Sequence, residues 1–166
     1  MRRLALILAA AACLGGCQLR PLYAGGEDSP VAATLRSVDV QPIEGRVGWL
    51  VRNALVDRLG GRDGESARYR LQVAIDDDIT GLGIRGDSAV TRERRTLRAR
   101  YQLVDSASGQ VVLDSTAGAE AGIDVVSSEY ATVAAEQTAA ERLSEQLADQ
   151  IVARLGLYAS RTVGRP

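Results

Sequence analysis

The sequence predicts an α+β domain, a single sheet with one apolar face covered by two amphipathic helices. Three observations predict it. Apolar residues alternate with period two in Arg68 to Asp76, in Thr91 to Val104 and in Val111 to Ala117, the spacing of half-buried strands. In Gly45 to Leu59, and again from about Ser128 to Leu155, the period lengthens to that of a helix with one buried stripe. The resulting order is strand, helix, three strands, helix, which offers no βαβ repeat and leaves one sheet face for both helices.

Taken in order, the chain begins with Met1-Arg2-Arg3, an uncharged aliphatic run from Leu4 to Leu14, and the small pair Gly15-Gly16. This is the layout of a secretory signal peptide, and the run is too short for the roughly 20 residues that span a bilayer. Leu14-Gly15-Gly16-Cys17 resembles the lipobox of bacterial lipoproteins, so Cys17 is the candidate lipidated residue and residues 1–16 the signal. Cys13 sits inside the apolar run, with Ala10 where the motif prefers Leu. Residues 17–34 contain Gly, Ser, Pro and acids without apolar period, and read as a lipidated N-terminus followed by a flexible tether.

The folded domain is expected over residues 35–158. Leu35, Val38 and Val40 alternate up to Pro42 and suggest a first strand. Val47, Val51, Ala54, Leu55 and Leu59 share one side of a helical wheel, and Gly60-Gly61 supplies a stop. In the second strand Tyr69, Leu71, Val73 and Ile75 take one face. A glycine-punctuated loop is expected next. Leu97, Ala99, Tyr101 and Leu103 then alternate with Thr96, Arg98, Arg100 and Gln102, and the turn formers Asp105 to Gly109 connect to Val111, giving an antiparallel hairpin. The last helix stripes Val133, Ala140, Leu143, Leu147, Ile151 and Leu155, with Gly156 as its end and residues 159–166 as a disordered tail.

Composition narrows the chemistry. The 166 residues carry 20 basic and 21 acidic side chains, so no basic excess points to nucleic acid. Every basic residue is Arg, and His is absent; with Cys17 capped by lipid there is no plausible zinc or copper site, no Cys-His dyad and no Ser-His-Asp triad. No catalytic residue and no cofactor is expected, apart from the covalent lipid on Cys17. Gly81-Leu82-Gly83-Ile84-Arg85-Gly86 matches the dinucleotide fingerprint by letter. It lacks the helix whose N-terminal amides would face a pyrophosphate, and reads instead as a flexible hairpin loop. Asp76-Asp77-Asp78 lacks the alternate ligands of a calcium loop and reads as a solvated strand end.

Arg68, Arg70, Arg92, Arg94, Arg95, Arg98 and Arg100 are the densest charge in the chain. If the strands pair, Arg68, Arg70, Arg98 and Arg100 emerge opposite the apolar face, with Arg92, Arg94 and Arg95 nearer the loop. Two readings stand: a solvated or internally paired face, helped by Glu93 and the nearby aspartates, and an anion-binding face, since the guanidinium fork matches phosphate and carboxylate. Trp49, the single tryptophan, lies with Val56 outside the centre of the first helix's stripe, as a core edge or as a partner-interface anchor.

Gln18-Leu19-Arg20-Pro21-Leu22-Tyr23 directly after Gly16-Cys17, Gly81 to Arg85 with Thr91-Arg92 and Tyr101-Gln102-Leu103, and Ser128 to Val133 with Ala134 together resemble the LPS-assembly lipoprotein (LptE) family in its alphaproteobacterial form. The resemblance implies two helices on one face of a mixed four-stranded sheet, agreeing with the periodicity. It also implies an outer-membrane lipoprotein, anchored on the periplasmic side, that plugs and helps assemble the LptD β-barrel and contacts LPS, with the arginines as the LPS-binding side chains. A scaffolding lipoprotein or transporter auxiliary of another envelope complex, without LPS contact, is the alternative.

Overall fold

A computed structural model describes residues 29–60, 67–84 and 90–163. The elements in order are α1 (Pro30–Arg36), β1 (Val38–Val40), α2 (Gly45–Leu59), β2 (Tyr69–Ile84), β3 (Val90–Asp105), β4 (Val111–Asp124) and α3 (Glu129–Val163). The α+β class and the expected order of strands and long helices hold, with α1 as an addition. Its seven residues lie largely within the stretch read as tether. The local signal was present: Pro30 opens the helix, and the Ser29 hydroxyl accepts from the Ala32 amide at 3.1 Å, a capped start. Leu35 then drops into the core.

The sheet runs β1-β2-β3-β4. It is mixed, because β1 lies parallel to β2 through Val38↔Tyr69 to Val40↔Leu71, whereas β2–β3 and β3–β4 are antiparallel. Strand alternation sends Tyr69, Leu71, Leu97, Ala99, Tyr101 and Leu103 beneath the helices, each at most 2% exposed. From α2 come Val51, Leu55 and Leu59, and from α3 Leu143, Leu147, Ile151 and Leu155. Gly60 ends α2 in the left-handed region at φ 64°, which glycine adopts without steric cost. Gly48 is fixed by packing instead, since a Cβ there would stand 2.8 Å from Ile43.

All three long strands outrun the expected boundaries. β2 continues through Asp76-Asp77-Asp78 and the glycines to Ile84, because cross-strand pairing to β3 persists as far as Ile84↔Val90. The aspartates are therefore mid-strand residues rather than a strand end, and Gly81 to Ile84 is strand rather than loop; Arg85 and Gly86 lie outside the described residues. β4 extends to Asp124 by continued alternation, with Ala119 and Ala121 packed on the core and Ile123 buried beyond them. The last helix passes Gly156 and runs to Val163, since Ala159 is fully buried and Tyr158 packs on the core. Helix thus occupies part of the stretch read as a tail. Val133 departs from the predicted stripe and stands 44% exposed.

Candidate functional site

The sheet face turned away from the helices is the candidate site. In β3 the even-numbered side chains project there, and Arg92, Arg94, Arg98 and Arg100 are exposed while Leu97 and Ala99 between them are buried. Register places carboxylates on both flanks of this row. Asp76 of β2 lies opposite Arg98, and on β4 Asp124 lies opposite Arg92, with Asp114 opposite Gln102. The charges meet. Arg100 grips Asp114 with both forks of its guanidinium, Nε to Oδ1 at 3.2 Å and Nη2 to Oδ2 at 2.9 Å, and Gln102 Nε2 donates to the same carboxylate at 2.8 Å. Arg92 pairs with Asp124 at 3.1 Å, and Arg98 approaches Asp76 only to 4.0 Å.

The two-point contact between Arg100 and Asp114 shifts both groups. Hydrogen bonding from Arg100, then from Gln102, holds the Asp114 carboxyl below the usual carboxylate range, and the hydrogen bond to Asp114 together with its charge raises Arg100. Between the two arginines the face sinks. Ala74, Thr116 and Gly118 are too small to fill the surface level with Asp76, Arg98 and Arg100, and the depression measures about 690 Å³. On the outer edge of β4, Gln150 of α3 both accepts from the Gly118 amide at 3.3 Å and donates to its carbonyl at 3.0 Å. That side chain closes the backbone rim of the depression in the manner of a paired strand.

The predicted arginines do not form one cluster. Arg98 and Arg100 flank the depression, with Arg94 and Arg92 in line toward the hairpin end of the strand. Arg70 is exposed on the same face but pairs in register with Val104, four residues along β2 from Ala74, or roughly 13 Å. Arg68 precedes β2 and stacks its guanidinium over the Tyr69 ring at 5.2 Å, a cation–π contact. Arg95 leaves the set altogether. Its odd position turns it under the helices, where Nε and Nη2 bind Asp77 at 2.9 and 2.6 Å and Nη1 donates to the Glu136 carbonyl at 2.8 Å. It ties α3 to the sheet, and its side chain is only 12% exposed.

Trp49 stands 61% exposed on α2, which rules out the core edge as its place. Val56 is half-buried against the core and offers an interface little surface. Cys17 lies outside the described residues. Among the described residues no group of His, Cys, Asp and Glu is arranged to hold a metal ion, and no helix is long and apolar enough to cross a membrane. Sequence reasoning did not single out the counter-charges Asp114 and Asp124, and it read Asp76 as a solvated strand end without matching it to an arginine. The signal was available in the even-numbered alternation of β2 for Asp76 and of β4 for the other two, but only the register tells which arginine each one meets.

The lipopolysaccharide-assembly family model, LptE, matches residues 35–155. A comparison with curated proteins returns no match. Among solved structures, the chain is similar to a lipoprotein from Caulobacter crescentus CB15, at 26% identity and TM-score 0.65, over 81% of this chain and 97% of that one. It is also similar to the minor lipoprotein from Acinetobacter baumannii, at 14% identity and TM-score 0.54, over 72% and 91% of the two chains. For rare lipoprotein B from Shewanella oneidensis the values are 13%, 0.53, 76% and 96%. These last two likenesses concern the fold alone. The family match runs from the last turn of α1 into the last third of α3, taking in the whole sheet, α2 and most of α3, and the chain therefore belongs to the LptE lipopolysaccharide-assembly family.

Proposed function

We propose that this protein is an outer-membrane lipoprotein, anchored on the periplasmic side through Cys17, that plugs and helps assemble the LptD β-barrel and takes part in moving LPS to the outer leaflet. The observation that carries the reading is the family match across residues 35–155. LptE proteins assemble lipopolysaccharide without being enzymes, in keeping with a chain that has no His and a site built of arginines and carboxylates. The open sheet face supplies the LPS contact, with Arg98 and Arg100 meeting phosphate and Arg92, Arg94, Arg68 and Arg70 adding long-range attraction. Trp49 supplies part of the barrel contact. Covalent lipid on Cys17 is the sole attached group, and nucleic acid is no partner.

The test uses the full-length protein co-expressed with LptD. Replacing both Arg98 and Arg100 with Gln should leave barrel pull-down intact and weaken LPS binding, with the difference shrinking as salt rises. Glutamate is the poorer choice, because it would set like charges beside Asp114 and Asp76. Undiminished LPS binding by the double variant would remove the sheet face from the reading. Lipidation is tested separately: Cys17→Ala should accumulate as unprocessed precursor, and palmitate labelling that survives in it would sink the anchor. A second reading, a scaffolding lipoprotein without LPS contact, draws on one specific observation. Arg100 and Arg92 already have carboxylate partners on the same face.

A further inference from the structure

We propose that Asp114 is a latch on the arginine face: it holds Arg100 closed in the free protein, and a phosphorylated saccharide entering the depression must displace it. The inference rests on the reading of this face as the LPS contact and assigns its regulation. Arg98 and Arg100 border one depression with similar exposure, about 70% and 67% of each side chain, yet they are held differently. Among the described residues Arg98 has only the distant Asp76. Arg100 has both Nε and Nη2 on Asp114, and Gln102 donates to the same Oδ2 that Nη2 engages.

A bidentate carboxylate satisfies the same guanidinium geometry that a phosphate would use. Ligand and latch therefore compete for one set of donors. The floor of Ala74, Thr116 and Gly118 admits a ring at backbone level, and Thr116 adds a hydroxyl beside it. Binding proceeds in two parts. Phosphate meets Arg98 first, since that guanidinium is the less engaged, and Arg100 swings from Asp114 to the ligand as the saccharide seats. The latch sets specificity by charge, because a neutral sugar offers Arg100 nothing to exchange for its carboxylate. It also suppresses binding of weak anions to the empty protein.

The experiment measures binding of a deacylated, bis-phosphorylated glucosamine disaccharide to the full-length protein by calorimetry, with the dephosphorylated disaccharide and inorganic phosphate as comparison probes. Asp114→Asn should bind the phosphorylated disaccharide roughly two- to fivefold more tightly, in line with the worth of one exposed ion pair. The gain should vanish in Asp114→Asn/Arg100→Gln, and the dephosphorylated probe should show none. Asp124→Asn removes the same charge from the same face, far from the depression, and should give a smaller gain. Equal gains from Asp114→Asn and Asp124→Asn, or no gain from Asp114→Asn with the circular dichroism spectrum preserved, overturn the latch. If Asp114→Asn misfolds, Asp114→Ser, which removes the same carboxylate with a smaller side chain, should give a gain in the same direction, and its absence with the fold preserved overturns the latch equally. Failure of the underlying reading looks different: Arg98→Gln/Arg100→Gln would then bind LPS as the parent does.

Discussion

Tyr158 meets Tyr69 edge to face, with ring centroids 6.2 Å apart and planes at 90°. Tyr69 opens β2 and is 2% exposed, so the contact carries the last helix past Gly156 and over the end of the sheet. An edge-to-face pair contributes about 0.5–1.5 kcal/mol beyond area burial. Replacing Tyr158 with Ala should lower unfolding free energy by about 2 kcal/mol in denaturant titration, counting lost packing. Leu157, one residue earlier and 42% exposed, should tolerate Ala within about 0.5 kcal/mol. Similar losses from the two would mean that the pair does not hold the helix end.

The same pair makes stability sensitive to alkali. Burial pushes the Tyr69 hydroxyl above its ordinary 10.0, and the Tyr158 hydroxyl adds to the shift. A group whose folded pKa lies above its unfolded value contributes stability that is fully present below the unfolded pKa and is lost as pH rises through the folded one. The denaturation midpoint should therefore hold steady up to about pH 10 and then fall. Tyr69→Phe should flatten that fall. An identical alkaline limb in parent and variant would assign it to other groups.

Which parts were legible in the sequence follows from how each residue earns its position. Alternation alone revealed Leu97, Ala99, Tyr101 and Leu103, because large apolar side chains repeat there without interruption. It faded at Ala119 and Ala121, whose small side chains signal little although they still face α3. Asp77 broke the apolar pattern of β2 and suggested an end. In fact the strand continues, since Arg95 answers Asp77 from the neighbouring strand beneath the helices. A charge inside an apolar face is invisible as a core residue until its partner is placed. Arg95 was misassigned for the same reason: by composition it belongs with Arg94, whereas by parity it belongs with Leu97. The depression was out of reach because its floor depends on Ala74, Thr116 and Gly118 coming from different strands.

Trp49 is 61% exposed on the helix that otherwise buries Val51 and Leu55 completely. Large exposed aromatics of this kind supply anchors when a partner desolvates them. Trp49→Ala should leave the denaturation midpoint close to that of the parent and reduce the LptD recovered in pull-down. Val56→Ala is the contrast, since Val56 packs on the core margin; it should lower stability by about 1 kcal/mol and leave barrel recovery unchanged. Equal barrel recovery by Trp49→Ala and parent would dismiss the anchor.

Arg95 offers the sharpest separation between an ion pair that stabilises and one that merely satisfies its partner. Its guanidinium engages both oxygens of Asp77 and the Glu136 carbonyl between sheet and helix. Glu93 projects from β3 on the same side, with a buried Oε2 that lacks a hydrogen-bond partner among the described residues. Replacing Arg95 with Leu would strand the Asp77 carboxylate, which is 27% exposed, against an apolar neighbour. Breaking one side of a partly buried pair should cost about 2 kcal/mol. Asp77→Leu alone should cost a similar amount by stranding the guanidinium. The double variant should recover much of the loss, because two aliphatic side chains beside Ile75 need no desolvation to be offset. Denaturant titration of the four proteins closes the cycle. Simple addition of the two single losses would show that Arg95 and Asp77 act independently, and that the Glu136 carbonyl contact, rather than the ion pair, fastens α3 to the sheet.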